Sequence, residues 1–315
     1  MNVLVTGATG FVGRAVLQRL RADGHRVRAA VRRDVVLPGV EVVNVGEIDG
    51  TTSWESAMRE IDAVVHLAAR VHVLHETAGS RDAAFAAFRR INVDGTRKLA
   101  EACRPSTRFV AMSSIRAVAD ESHPVAIDEA TAPQPTTPYG ISKLEGERAL
   151  AEVARARGIS WIALRPPLVF GEGAGGNLRR LMAIVRRGVP LPLGAVHNRR
   201  SFIYVGNLAD AVARALAADA PQSCALPIAD PPARSTAALA REIGAAMGKS
   251  PRLVSVPPRL LELGARVLGR SEVWARLGGD LEIAAHAADR LQWTPAVSFG
   301  EGVRRAVHDW LGGSH

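Results

Sequence analysis

Residues 2–31 constrain the fold of this chain more than any other stretch. Asn2-Val3-Leu4-Val5-Thr6 is an apolar, β-branched run that ends at Gly7-Ala8-Thr9-Gly10-Phe11-Val12-Gly13. Apolar residues then recur at helical spacing, with Val12, Val16, Leu17 and Leu20 on one face, and the pattern stops at Asp23-Gly24 before a second strand over 27–31. Strand, glycine loop, helix and strand in this order predict an α/β fold with a doubly wound parallel sheet. Gly7, Gly10 and Gly13 divide three tasks: a tight turn, close approach of backbone to a pyrophosphate, and close helix–strand packing. A dinucleotide is therefore expected on this loop.

The residues just after the second strand select the cofactor. An acidic residue there accepts hydrogen bonds from the ribose 2′-hydroxyl of NAD, whereas arginine accommodates the 2′-phosphate of NADP. Arg32-Arg33 comes first and favours NADP(H), while Asp34 one step beyond keeps NAD(H) open. A third strand over 40–45 leads to Glu47-Ile48, and a fourth over 63–67 ends at Leu67-Ala68-Ala69, whose small residues would let a cofactor lie against the strand end. His66 inside this strand reads as a packing histidine. Residues 83–104 are helical in pattern and include Asn92. A strand over 109–112 then delivers Ser113-Ser114 at its C-terminal end, the edge at which open α/β sheets bind ligands.

Twenty-five residues later comes Tyr139-Gly140-Ile141-Ser142-Lys143. In a helix, Tyr139 and Lys143 lie one above the other on a single face. A phenol titrates near 10, and moving it to about 7 requires roughly 4 kcal/mol of differential interaction, which a buried cation close by supplies. With a dinucleotide and Ser114 expected nearby, the pair reads as acid/base machinery.

Composition excludes several other classes. The 315 residues are 47% hydrophobic and 23% charged, as in an ordinary globular protein. No apolar run reaches membrane-spanning length, and Met1 leads straight into the first strand without signal-peptide regions, so a cytoplasmic location without membrane insertion is expected. Cys103 and Cys224 are the only cysteines, and His72 and His75 are the closest histidine pair without a supporting carboxylate motif, so no metal site is expected. The net charge of +9 comes almost wholly from dispersed arginines, with Lys98, Lys143 and Lys249 the only lysines. Neither a basic tail nor aromatic interleaving points to nucleic acid, and the balance suits anionic small molecules.

These motifs, Thr6 through Gly13, His66-Leu67-Ala68-Ala69, Ser113-Ser114, Tyr139 through Lys143 and Arg165-Pro166-Pro167, resemble those of an extended short-chain dehydrogenase/reductase in the NAD-dependent epimerase/dehydratase family that acts on nucleotide sugars. The resemblance implies a Rossmann-type cofactor domain over 1–170, with 201–220 packing back on it, and a smaller substrate-binding domain over 171–200 and 221–315. It implies that Ser114 hydrogen-bonds the reacting sugar oxygen, Tyr139 transfers its proton, and Lys143 holds the nicotinamide ribose while lowering the tyrosine pKa. Gly7, Thr9, Gly10, Phe11, Val12, Gly13, Leu67, Ala68, Ala69 and Pro166 would line the cofactor, Glu47-Ile48 would lie against the adenine, and Asn92 would support the site.

Beyond Gly158, which ends the Tyr139 helix, a strand over 161–164 reaches Arg165. Gly171 through Gly176 reads as a flexible substrate loop. By the resemblance, Asn177 at the next helix start meets the substrate diphosphate, and Arg200 pairs with it ahead of Arg199 as runner-up; Arg276 and Asp280, read from the residues alone, are candidates to help hold the nucleotide or else surface charges. Tyr204-Val205-Gly206-Asn207 departs from the family's usual acidic residue before the helix. An extended segment at 225–228, a helix over 236–247, a strand over 252–256, helices from Pro257-Pro258 to 277, and a last helix over 299–311 complete the pattern. The expected activity is a UDP-4-keto-sugar reductase of bacterial surface-polysaccharide synthesis, favoured by Arg32-Arg33 and by Ala117-Val118-Ala119 where epimerases carry Val-Tyr-Gly. A C4 epimerase that keeps NAD bound, and a non-catalytic NADP-binding sensor, are the alternatives. A homodimer through the helices carrying Asn92 and Tyr139 is also expected.

Overall fold

Apolar β-branched runs form the centre of the molecule, a parallel sheet covered on both faces. The computed structural model describes residues 1–71, 81–217, 219–220, 223–286 and 288–313, so His72 and His75 lie outside the described residues. In chain order the elements are β1 (Asn2–Thr6), α1 (Phe11–Ala22), β2 (Arg26–Val31), β3 (Glu41–Asn44), β4 (Ala63–His66) and α2 (Arg81–Arg89). A π-helical segment (Arg90–Gly95) precedes α3 (Thr96–Glu101), β5 (Arg108–Met112), α4 (Pro138–Arg157) and β6 (Ser160–Arg165). Then come β7 (Leu168–Phe170), α5 (Gly176–Arg186), β8 (Arg200–Tyr204), α6 (Val205–Ala215), β9 (Cys224–Pro227) and β10 (Asp230–Arg234). Helices α7 (Thr236–Ala246), α8 (Pro258–Val267), α9 (Ser271–Gly278) and α10 (Phe299–Gly312) finish the chain.

The main sheet runs β3-β2-β1-β4-β5-β6-β9, all parallel. Strand order reverses between β1 and β4, which opens a crevice at the C-terminal strand ends. Alternation along β1 sends Val3 and Val5 to one layer, against Val16, Leu17 and Leu20 of α1 and Leu208 and Val212 of α6. Leu4 faces the opposite layer with Leu99, Phe109 and Leu150. Each such side chain, fully buried, contributes about 1.5–3 kcal/mol. A second sheet, β10-β8-β7, packs with α5, α7 and α10 through Phe170, Met182, Phe202, Ile243 and Phe299.

Three segments depart from the sequence expectation. The stretch 83–104 is not one regular helix: a π turn interrupts it where the Asn92 side chain is pulled into bonds with neighbouring elements. The segment 224–227, expected in the small lobe, pairs with β6 and becomes the seventh strand of the main sheet, with Pro227 tolerated because β9 is an edge. Residues 252–256 form no strand, only an isolated bridge between Leu191 and Leu253, since Pro251, Pro257 and Pro258 supply no N–H to extend a ladder. Cys103 and Cys224 are buried and unpaired. No described helix is long and apolar enough to cross a membrane.

Candidate active site

The glycine loop has the geometry of a phosphate cradle. Gly7 adopts φ +68°, and a Cβ there would fall 2.7 Å from the Ala68 amide nitrogen, so the end of β4 closes directly on the turn. A Cβ on Gly13 would sit 2.1 Å from the Gly7 carbonyl oxygen, which fixes α1 tightly against the loop. Gly10 caps α1 without a side chain, and the first turn of α1 has no acidic residue. Thr9, Phe11 and Val12 therefore surround amide donors suited to an anion, and these residues fit a dinucleotide pyrophosphate. Ala68 N donates to Thr6 Oγ1 at 3.1 Å, holding the Leu67-Ala68-Ala69 segment beside the loop.

At the end of β2, Arg32 and Arg33 are exposed and have no ion-pair partner among the described residues. Asp34 accepts from Asn44 Nδ2 at 3.0 Å. Glu47 pairs with Arg90 at 2.8 Å on the surface, whereas Ile48 is buried against Gly95. His66 is a core residue, bonded to Thr6 Oγ1 at 2.8 Å and Thr96 Oγ1 at 3.1 Å, and burial pushes its pKa down to about 3. Buried and neutral, it reads as a packing residue of the core.

The catalytic candidates converge at the end of β5. Ser114 caps a short 3₁₀ turn, accepting from Arg116 N at 3.2 Å, and its hydroxyl lies close enough to the Tyr139 phenol to favour the phenolate. Tyr139 follows Pro138 in the first turn of α4, whose N-cap Thr137 accepts from Gly140 N at 3.2 Å. Asp120 sets the start of this helix: it accepts from Thr136 N at 2.5 Å, Thr136 Oγ1 at 2.9 Å, Thr137 N at 3.0 Å and Thr137 Oγ1. Gly140 has to be glycine for a steric reason, because a Cβ would lie 2.4 Å from the Arg116 carbonyl oxygen and 2.7 Å from Asp120 Oδ1. The serine turn and the tyrosine helix are thus in backbone contact.

Burial pushes the Tyr139 phenol up, opposed by the Ser114 hydroxyl and the charge of Arg116. Its ring meets Phe88 edge-on at 6.0 Å. Lys143 donates from Nζ to the Met112 carbonyl at 2.6 Å, and desolvation lowers it to about 8 against the charge of Glu147. Glu147 accepts two hydrogen bonds from Arg165, at 3.0 and 2.6 Å, and one from Ser113, all buried. Asn92 donates to Ser142 Oγ at 2.9 Å and exchanges bonds with the Arg70 backbone, so its amide braces α4 against the loop after β4. Pro166 accepts from Ile115 N at 2.9 Å, closing the same floor.

At the other end of the crevice, Arg200 donates to the carbonyls of Glu121 at 3.1 Å and Gly279 at 2.8 Å, and desolvation lowers its pKa. Arg276 pairs with the Glu121 carboxylate at 3.1 Å, which brings Arg200 and Arg276 to one glutamate. Arg199 instead forms an exposed two-bond pair with Glu282, and Asp280 accepts from the Arg199 amide. Arg200 is the more buried of the two neighbours. Asn177 is exposed in the first turn of α5, which follows the glycine loop 171–176.

Sequence reasoning overlooked Asp120, Glu121 and Arg116, which lie in an irregular stretch with no periodicity to mark them. It also left open what replaces the acidic residue before α6. Asp230 on β10 accepts from Tyr204 N at 2.7 Å and Asn207 Nδ2 at 3.0 Å, supplying that carboxylate from another strand.

Comparison with known proteins decides the family. Residues 3–225, more than half of the chain, match the NAD dependent epimerase/dehydratase family. The chain belongs to this family. It is an enzyme of the extended short-chain dehydrogenase/reductase type, as the motifs implied. It is 30% identical over 318 residues to a UDP-glucose 4-epimerase of Vibrio cholerae, covering 98% of this chain and 95% of that protein. It is also 30% identical over 319 residues to a ceramide reductase of Caulobacter vibrioides, covering 96% and 88%. Among solved structures, the Thermus thermophilus UDP-glucose 4-epimerase complex with NAD superposes with a TM-score of 0.77 at 26% identity, over 99% of this chain and 100% of that one.

Proposed function

We propose that the chain transfers hydride at C4 of a UDP-sugar, as a UDP-4-keto-sugar reductase of bacterial polysaccharide synthesis with NADP(H) as the favoured cofactor. The carrying observation is the placement of Ser114 beside the Tyr139 phenol at the C-terminal sheet edge, with Lys143 one helical turn along α4 and Arg200 and Arg276 both held at Glu121. The glycine loop, Leu67-Ala68-Ala69 and Pro166 would hold the dinucleotide, Ile48 would flank the adenine, and Arg32 and Arg33 would take a 2′-phosphate. When bound, the nicotinamide supplies hydride. Because hydride reaches the carbon while its oxygen gains a proton, a donor must sit on that oxygen. Tyr139 gives this proton and Ser114 stabilises the developing negative charge. Lys143, largely protonated at neutral pH with its pKa near 8, holds the cofactor ribose.

A 4-epimerase with tightly bound NAD is the second reading, favoured by likeness to the Vibrio and Thermus epimerases and by Asp34 beside the arginine pair. The family likeness further supports a cytoplasmic homodimer paired through α4 and the segment carrying Asn92, which sedimentation would test. The nucleotide that co-purifies separates the two activities. A site that purifies empty and binds NADPH more tightly than NADH supports the reductase, whereas stoichiometric tight NAD would overturn it.

A further inference from the structure

Arg116 lies where neither the cofactor nor the diphosphate explains it. Its backbone is fixed by the active site: the amide donates to Ser114 Oγ at 3.2 Å, and its carbonyl abuts Gly140 beside Tyr139. Its side chain reaches the opposite way. Nη2 donates to Glu121 Oε1 at 2.7 Å, the same carboxylate oxygen that Arg276 meets at 3.1 Å, while Arg200 takes the Glu121 carbonyl. The guanidinium therefore stands between the serine and tyrosine at one end and the arginines expected to meet the diphosphate at the other. In an extended nucleotide sugar, that interval is the sugar.

Nη1 of Arg116 is buried and has no hydrogen-bond partner among the described residues, and Glu121 Oε2 is in the same condition. A buried charged N–H without an acceptor is costly, so a side chain held this way calls for a ligand oxygen. We propose, resting on the functional reading above, that Arg116 is a further substrate-contacting residue: its Nη1 edge donates to an oxygen of the reacting sugar. The charged groups around the Tyr139 phenol are Arg116 on the 3₁₀ turn, Lys143 and behind it Glu147 on α4, Asp120 at the helix start, and Arg70 over Phe88 at 5.8 Å, with Glu121 offsetting Arg116. The positive charge of Arg116 favours the phenolate of Tyr139, and Lys143 keeps its own charge while donating to the Met112 carbonyl.

Two measurements on the NADP⁺-loaded enzyme test this. The first is calorimetric binding of UDP-glucose with UDP as the sugar-free control. Arg116→Met is expected to weaken UDP-glucose by roughly 10- to 100-fold while changing UDP by no more than about twofold. Arg116→Lys, which keeps the charge but not the fork, is expected to recover only part of the loss. The second is the tyrosinate absorbance titration, tractable because Tyr139 and Tyr204 are the only tyrosines and Tyr139→Phe supplies the blank. Removing the cation raises the Tyr139 midpoint, by about one pH unit in Arg116→Met, and Arg116→Lys returns it. Equal losses on UDP and UDP-glucose with an unmoved titration would reduce Arg116 to a strut between lobes and overturn the proposal. If the wild type bound neither ligand, the UDP-sugar reading and the sugar contact would fall together, whereas a weaker grip on UDP-glucose in the wild type than on UDP would sink the contact alone.

Discussion

Replacing Gly140 by alanine puts a methyl group where the fold has no room. Alanine is the better helix former by about 1 kcal/mol, so on helix propensity alone the variant gains stability. The added Cβ, however, stands 2.4 Å from the Arg116 carbonyl oxygen, 2.7 Å from Asp120 Oδ1 and 3.0 Å from Pro135 Cβ. The first two are roughly 1 Å short of ordinary contact. Neither neighbour yields cheaply: one is main chain in the Ser114 turn, and the other is locked by four hydrogen bonds from Thr136 and Thr137. Overpacking of this kind costs about 1–3 kcal/mol, enough to cancel the helix gain. More telling is the geometric effect, since α4 must move away from the turn and carry Tyr139 from Ser114. A displacement of about 1 Å between reacting groups lowers turnover by on the order of 10²-fold. The assay pairs thermal unfolding with steady-state turnover and NADPH titration. Expected are a Tm at or below wild type, a large loss of kcat and a smaller loss of NADPH affinity, because the glycine loop is remote from the clash while Lys143 moves with α4. A more stable variant with full turnover would refute the reasoning.

Glu147→Gln breaks a buried ion pair whose loss leaves Arg165 uncompensated, so about 3–5 kcal/mol of stability is expected to disappear, read as a drop in Tm. An unchanged Tm would mean that the pair is replaceable. His66 has a folded pKa depressed to about 3, so below its unfolded value of roughly 6.5 the unfolded chain binds a proton that the folded chain refuses. Stability should accordingly fall by about 1.4 kcal/mol per pH unit as pH drops through that window. His66→Gln, which cannot titrate, is expected to flatten this part of the acid limb, and identical limbs in the two proteins would contradict the assignment.

The cofactor half of the molecule was legible because its signals are local. The glycine loop, the amphipathic α1 and the Tyr139–Lys143 spacing each lie within a few residues, and their periodicities map directly onto elements. Parallel strands buried on both faces likewise announce themselves as apolar runs. The features that escaped reading are held together at long range. Asp120 and Glu121 look like ordinary loop acids until the fold brings Thr136, Arg200 and Arg276 to them. Asp230 answers the missing acid before α6 from a strand 23 residues away. The π turn at Asn92 arises from side-chain bonds to Ser142 and Arg70, which no helical period encodes. Strand β9 is too short and too interrupted by Pro227 to be assigned to the main sheet before its pairing with β6 is seen.

The Tyr139–Lys143 pair remains the centre of the chemistry, and Tyr139→Phe tests it most directly. Turnover of a UDP-4-keto-sugar with NADPH should be measured alongside NADPH affinity in the variant and the wild type. Loss of the phenolic proton is expected to lower kcat by about 10²- to 10⁴-fold, with NADPH binding retained. Undiminished turnover by the phenylalanine variant would contradict Tyr139 as the acid.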